Sequence, residues 1–186
     1  MRGGHEPVLL GIAHGSRDPR SPATVEALLA RVRELSPGLR VETAYLDHCP
    51  PAVPQTVDRL ARSGCRAVVA VPLLLSAAYH ARVDVPAALH RAGQRHPRLA
   101  LRVGRTLGPD ALLVAALERR LREAGVDLGD PRTGVVLAAA GTSDSAANAV
   151  VERVARRWAR RGWAEVVTAF ASAAPPTVGE AVAGLR

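Results

Sequence analysis

The chain has 186 residues, of which 48% are hydrophobic and only 3% aromatic, and its 25 basic residues, all of them arginine, give a formal net charge of +8. This length and apolar content suffice for one buried core, or for one domain plus part of another, built from Ala, Val and Leu. No apolar run reaches the length of a membrane span and the N-terminus lacks the pattern of a signal peptide, so we expect a cytoplasmic protein without a membrane partner.

The arginines are spread along predicted helices rather than clustered with aromatic residues, which argues against nucleic-acid binding. Solvated helix faces explain them most simply, and a positive field that attracts an anionic small molecule is the second explanation. The two cysteines, Cys49 and Cys65, are too few for a disulfide scaffold and lack metal-ligand spacing, so we expect reduced thiols.

Short apolar runs alternate with helical periodicity along the first part of the chain. The predicted strands are Val8–Ala13, Val41–Leu46, Ala67–Leu75 and Leu99–Val103. The predicted helices run from Ala23 to Leu35, through Val57 and Leu60 to a stop at Gly64, over Val85–Ala92, and from Asp110 to Ala124. This alternation predicts an α/β fold of three layers, with a mainly parallel sheet and helices on both of its faces.

The pattern then restarts. Val135–Asp144 aligns with Leu9–Asp18, and Thr168–Pro176 aligns with Thr43–Pro51, in the same order. Two matched blocks in one order indicate an internal duplication. We therefore predict a catalytic repeat over residues 1–130 and a partial second repeat over residues 131–186. Because the second repeat has fewer elements than the first, we expect the native protein to be longer than this sequence.

The second repeat lacks ionisable residues that the first repeat carries. His14, Asp47 and His48 of the first repeat correspond to Ala140, Ser172 and Ala173 of the second. We therefore expect the second repeat to retain the shape of the first without its site.

Two histidines follow apolar runs, His14 after the first predicted strand and His80 after the third. The carboxyl ends of parallel strands form the crevice in which α/β folds bind ligands, and Asp47 adds a carboxylate there. Such a group suits Fe²⁺, Co²⁺, Ni²⁺ or Zn²⁺ better than Mg²⁺. Each histidine alone is more often a structural turn residue, whereas the pair favours metal binding or proton transfer. The other histidines are expected in the tail, in a loop or at the surface: His5, His48, His90 and His96.

Three motifs in this order, HGSRD, TAYLDHCPPAVPQTVDRLA and VPLLLSAAYHARVDVP, resemble the sirohydrochlorin chelatase family, the class II chelatases also called CbiX or SirB. The resemblance covers about residues 8–107, and the second repeat resembles part of the C-terminal half of the long two-domain form. It implies a chelatase-like fold and an enzyme that inserts Co²⁺ or Fe²⁺, in archaeal relatives also Ni²⁺, into sirohydrochlorin or a related reduced tetrapyrrole in sirohaem or cobalamin biosynthesis. The metal is then a substrate, and no fixed cofactor is expected.

The resemblance also implies roles for single residues. His14 and His80 are the implied metal ligands, and His14 also accepts a proton. Asp47 stands where the family usually has Glu, as a catalytic and substrate-binding acid that is one methylene shorter. The implied tetrapyrrole-contacting segment, which lacks the family's usual glycine, consists of Leu75, Ser76, Ala77, Ala78 and Tyr79.

Two arginines beside the histidines, Arg17 and Arg82, are predicted to pair with the carboxylates of an anionic tetrapyrrole, since a guanidinium binds a carboxylate through two hydrogen bonds. Ser16 completes the predicted substrate-binding set.

Two other functions are compatible with parts of this pattern. A histidine phosphatase would need an arginine directly before the nucleophilic histidine, and Ala13 stands there instead. A non-catalytic metal- or tetrapyrrole-binding protein would use the same two histidines, so it stays the alternative. The oligomeric state is open, and a homo-oligomer is one way to cover the cleft, the second repeat being the other.

Overall fold

The computed structural model describes residues 6–75 and 83–185. The chain divides into two compact units, Met1–Leu107 and Gly108–Arg186. Within the described residues, no helix has the length and hydropathy needed to cross a membrane.

The described part of the first unit contains one sheet of four parallel strands: β1 (Val8–Ala13), β2 (Val41–Tyr45), β3 (Ala67–Pro72) and β4 (Ala100–Val103). Its helices are α1 (Arg20–Leu35), α2 (Val53–Arg62) and α3 (Val85–Gln94). The strand order is β2-β1-β3-β4. Because β1 lies between β2 and β3, the carboxyl ends of these three strands stand side by side.

Alternating residues of β1 pack against helices on opposite faces of the sheet. Leu10 and Ile12 are fully buried in the core that includes α2 and α3. Gly11 points the other way, where a Cβ would lie 2.9 Å from the Leu29 side chain of α1. Burial on both faces explains why the strand reads as a continuous apolar run. The predicted α/β fold with a mainly parallel sheet is confirmed, and its helices form the outer two layers.

Two predicted boundaries in this unit are wrong by three residues. β3 ends at Pro72 instead of Leu75. A further hydrogen bond to β1 runs from the Leu73 N–H to the Ile12 carbonyl at 2.7 Å, and Leu75 is 66% exposed. α1 begins at Arg20 instead of Ala23, where the Asp18 carboxylate accepts a hydrogen bond from the Arg20 backbone N–H at 3.0 Å.

The described part of the second unit contains two parallel strands and three helices: β5 (Gly134–Ala139), β6 (Glu165–Phe170), α4 (Ala111–Glu123), α5 (Ser145–Ala159) and α6 (Val178–Gly184). The rings of Trp158 and Trp163 meet edge to face in its core, with centroids 6.0 Å apart.

Helix α4 belongs to the second unit through a buried carboxylate. Glu118 is 8% exposed and accepts hydrogen bonds from the Trp158 indole N–H at 3.0 Å and from the Arg161 guanidinium at 2.5 Å. The two units therefore divide between Leu107 and Gly108, before this helix. The boundary predicted between residues 130 and 131 separates two duplicated segments of sequence, whereas the boundary at Leu107 separates two compact units. The duplication boundary stays a prediction.

Candidate active site at the carboxyl end of the first sheet

His14 is the first residue after β1, and its half-buried ring is oriented by its own turn. The Nδ1 atom lies 3.1 Å from the carbonyl oxygen of Gly15. Because a carbonyl oxygen only accepts hydrogen bonds, this contact requires the proton on Nδ1. In the neutral imidazole, Nε2 is then the basic nitrogen that is able to bind a metal ion or a proton.

Two hydrogen bonds connect the loop after β2 to the loop after β1. The Leu46 N–H donates to the Ala13 carbonyl at 3.0 Å, and the Asp47 N–H donates to the His14 carbonyl at 2.9 Å. The first bond is accepted by the last residue of β1, and the second joins the two loops directly. Asp47 is thereby held beside His14, as the strand-end argument from the sequence predicts.

Gly15 permits this close approach of the two loops. Its φ is +94°, and a Cβ at this position would lie 1.9 Å from the carbonyl oxygen of Asp47. A side chain therefore conflicts both with the backbone conformation and with the neighbouring loop. The glycine of the HGSRD motif is a requirement of the site's scaffold.

His48 completes a cluster with these two residues. Its ring centroid lies 5.7 Å from that of His14, with an angle of 42° between the ring planes. Its Nε2 lies 3.7 Å from Oδ2 of Asp47, while the His48 backbone N–H donates to Oδ1 of Asp47 at 2.7 Å. From the sequence, His48 is expected to be an ordinary loop residue, and its position directly after Asp47 is the one available signal of a role in the site.

The other described members of the predicted substrate-binding set flank this cluster. The Ser16 hydroxyl accepts a hydrogen bond from the Asp18 N–H at 3.1 Å, so it stabilises the turn after β1. Arg17 is exposed in the same turn. Leu75 is 66% exposed and follows β3, the other strand that pairs with β1.

The remaining predicted site residues lie outside the described part of the chain: Ser76, Ala77, Ala78, Tyr79, His80 and Arg82. Among the residues that the structure does describe, no group of three or more His, Cys, Asp or Glu side chains is arranged to hold a metal ion. The ligand roles of His14 and His80 therefore stay predictions.

The second unit repeats the backbone of this site. The Ser172 N–H donates to the Ala140 carbonyl at 2.9 Å, as the Asp47 N–H does to His14. Gly141 has a φ of +84°, and a Cβ there would lie 1.9 Å from the carbonyl oxygen of Ser172. The strand-end scaffold is thus common to both units.

The correspondence extends to a residue with a left-handed backbone conformation, which follows β2 in the first unit and β6 in the second. His48 has a φ of +67° and Ala173 a φ of +61°. At this position, as at the positions of His14 and Asp47, the second unit keeps the backbone and lacks the ionisable side chain. The chemistry available at this scaffold is therefore a property of the first unit.

His96 lies at the opposite, amino-terminal end of the sheet, in the loop that enters β4. It is more buried than the sequence suggested, with a side chain that is 24% exposed. It shares a hydrogen bond of 2.7 Å with Oδ1 of Asp58. This bond, together with one from Arg95, lowers the pKa of the Asp58 carboxyl from its ordinary value. The His96–Asp58 pair therefore stabilises the fold at the end of the sheet opposite to His14.

Comparison with known proteins gives the chain's relatives. The CbiX family model matches residues 8–124. The chain is 30% identical over 185 residues to the sirohydrochlorin cobaltochelatase of Priestia megaterium, an alignment that covers 98% of this chain and 60% of the relative. It is 28% identical over 173 residues to the sirohydrochlorin ferrochelatase of the same species, covering 92% of this chain and 65% of the relative. The chain thus spans less than two thirds of the length of either protein.

A solved structure, SirB from Bacillus subtilis with Fe³⁺, matches 96% of this chain with a TM-score of 0.83 at 24% identity, and 71% of that structure is covered. This likeness concerns the fold, which agrees with the chelatase-like architecture expected from the motifs. The family model covers more than half of the sequence and includes the whole described site. The chain therefore belongs to the CbiX family.

Proposed function

We propose that this protein inserts a divalent metal ion, Co²⁺ or Fe²⁺, into sirohydrochlorin or a related reduced tetrapyrrole, as a step of cobalamin or sirohaem biosynthesis. The observation that carries the proposal is the pairing of His14 with Asp47 at the carboxyl end of the sheet in a chain of the CbiX family. It is supported by similarity to one protein named as a cobaltochelatase and another named as a ferrochelatase.

Insertion of the ion requires the macrocycle to lose two pyrrole protons while the ion loses water. His14 suits both needs, because its Nδ1 proton is directed to the Gly15 carbonyl and Nε2 is the basic nitrogen. A neutral imidazole binds a divalent ion of the first transition row and accepts a proton near neutral pH. We propose His14 as a metal ligand whose Nε2 accepts a pyrrole proton once the ion has left it for the macrocycle, with His80 as the second ligand. The metal passes through the site as a substrate.

Asp47 is proposed to accept or relay a pyrrole proton. Its side chain is 70% exposed, so a substrate that enters the crevice is able to reach its oxygens. One oxygen is already engaged by the His48 backbone N–H, which fixes the carboxylate's direction. A carboxylate held in this way is available to a pyrrole N–H without first reorganising the loop.

The periphery of the proposed site suits an anionic, flat substrate. Arg17 is exposed beside His14 and is proposed, with Arg82, to pair with the tetrapyrrole's carboxylates. Leu75, 66% exposed in the segment that follows β3, is proposed to pack on the ring face together with Tyr79. Ser16 and the segment Ser76–Ala78 complete the proposed contacts.

Anaerobic absorbance spectroscopy of sirohydrochlorin tests this function, with Co²⁺ and Fe²⁺ supplied separately and with the protein present or absent. We expect the protein to accelerate conversion to the metallated spectrum, and the ratio of the two rates ranks the metals. A shifted tetrapyrrole spectrum without acceleration would instead support the non-catalytic binding protein. No spectral response with either metal would contradict both functions.

A further inference from the structure

Within the described part of the chain, the ring contact and the ion-pair contact of the His48 imidazole are both with the candidate site. They are made with the His14 ring, 5.7 Å between centroids, and with the Asp47 carboxylate, 3.7 Å from Nε2. The side chain is 33% exposed, so it is neither a core residue nor a freely solvated one. Both of its neighbours belong to the proposed chemistry.

The fold itself does not need a histidine at this position. Ala173 adopts the same left-handed conformation in the second unit, with a φ of +61° against +67° for His48. The hydrogen bond that closes the turn is also the same, since Cys49 N–H to Asp47 carbonyl and Ala174 N–H to Ser172 carbonyl both measure 2.8 Å. Alanine therefore satisfies this backbone, and the imidazole requires another explanation.

The separation of the two rings fits a shared metal ion. An imidazole nitrogen binds a first-row divalent ion at about 2.0–2.1 Å, so two rings on one ion have centroids on the order of 5 Å apart. The 5.7 Å between His14 and His48 is close to this value. The Asp47 carboxylate lies 3.7 Å from Nε2 of His48, which is an ion-pair distance rather than a hydrogen bond. A carboxylate on that side favours a proton on Nε2 and leaves Nδ1 for the ion.

We propose that His48 is a further metal-binding residue that captures the incoming ion together with His14 before the tetrapyrrole arrives. Two imidazoles leave the remaining coordination positions to water. An ion held by so few protein ligands is readily released into a macrocycle. The proposal rests on the proposed function only for the identity of the metal as a substrate. It extends the ligand pair expected from the sequence, His14 and His80.

Titration of the full chain with Co²⁺ alone, without tetrapyrrole and under anaerobic conditions, tests this capture site. We expect His48→Ala to weaken Co²⁺ binding roughly tenfold or more, with an unchanged circular dichroism spectrum because Ala173 already shows that alanine fits. His48→Asn is a second variant, since asparagine tolerates the left-handed conformation, and it should also weaken binding. His90→Ala is the matched control, because His90 is exposed on α3 and contacts Gln94.

Nuclear magnetic resonance identifies the ligands directly. At substoichiometric Co²⁺, the ring protons of His48 should broaden together with those of His14, whereas those of His90 should not. Wild-type Kd values in both His48 variants, or an unbroadened His48 ring, would overturn the proposal. A chain that binds Co²⁺ through His48 but accelerates no metal insertion would refute the proposed function and leave the capture site standing.

Discussion

Replacement of Gly15 by alanine should separate the two loops that carry His14 and Asp47. The new Cβ would lie 1.9 Å from the Asp47 carbonyl oxygen and 3.3 Å from Sγ of Cys49, at a φ of +94°. No rotamer relieves a conflict between a Cβ and a backbone carbonyl, so the loop after β2 has to move. That movement breaks the hydrogen bond from the Asp47 N–H to the His14 carbonyl.

The loss in unfolding free energy has two contributions, the backbone conformation and the lost hydrogen bond. Variants at other glycines of this chain measure them separately. Gly64 has a φ of +81°, and a Cβ added there would have nothing within 4 Å, so Gly64→Ala measures the conformational cost alone, about 1–2 kcal/mol. Gly15→Ala adds the lost hydrogen bond, about 0.5–1.5 kcal/mol. Gly141→Ala introduces the same 1.9 Å conflict, with the Ser172 carbonyl, in the second unit. We expect Gly15→Ala and Gly141→Ala to cost about 1.5–3.5 kcal/mol each.

Urea unfolding and metal insertion together test this reasoning. Both tryptophans of the chain, Trp158 and Trp163, lie in the second unit, so their fluorescence follows Gly141→Ala, whereas far-UV circular dichroism follows Gly15→Ala. Metal insertion should fall in Gly15→Ala and persist in the two other variants. If Gly15→Ala costs no more than Gly64→Ala and leaves insertion unchanged, the close approach does not position Asp47.

Three further outcomes follow from single side chains. Asp47→Asn should slow metal insertion more than it weakens Co²⁺ binding, as separate rate and binding measurements would show, because the amide cannot accept the proton. Glu118→Ala should cost about 1–3 kcal/mol in urea unfolding followed by fluorescence, because the buried indole N–H of Trp158 loses its acceptor. The hydrogen bond from His96 lowers the pKa of Asp58 in the folded chain below its ordinary 3.8, so the Asp58 carboxylate stabilises the fold above that value and loses this contribution as the pH falls through the folded pKa. The urea midpoint of the unmodified protein should therefore exceed that of Asp58→Asn at about pH 6, and the difference should shrink as the pH falls below 3.8.

The strands, and the positions of His14 and Asp47 in the site, could be predicted because they depend on local sequence patterns. Leu10 and Ile12 lie in a short apolar run that is typical of a strand buried on both faces, and the structure buries both. His14 and Asp47 follow two such runs, and parallel strands bring their carboxyl ends to one edge. Their proximity then follows from topology.

The rest depends on features that local patterns do not contain. His48 reaches the His14 ring through a left-handed backbone conformation. The residue type alone does not predict this conformation. The placement of α4 depends on Glu118, which meets Trp158 forty residues later in the chain. The end of β3 depends on where the chain leaves the sheet, although the leucines continue past Pro72.

The most direct test of the central claim compares cobalt insertion into sirohydrochlorin by the unmodified protein, His14→Ala and His90→Ala under identical anaerobic conditions. We predict that His14→Ala, folded as judged by circular dichroism, loses the acceleration over the uncatalysed rate, while His90→Ala retains it. A His14→Ala variant that inserts cobalt at the unmodified rate would contradict the role of this strand end as a chelatase active site.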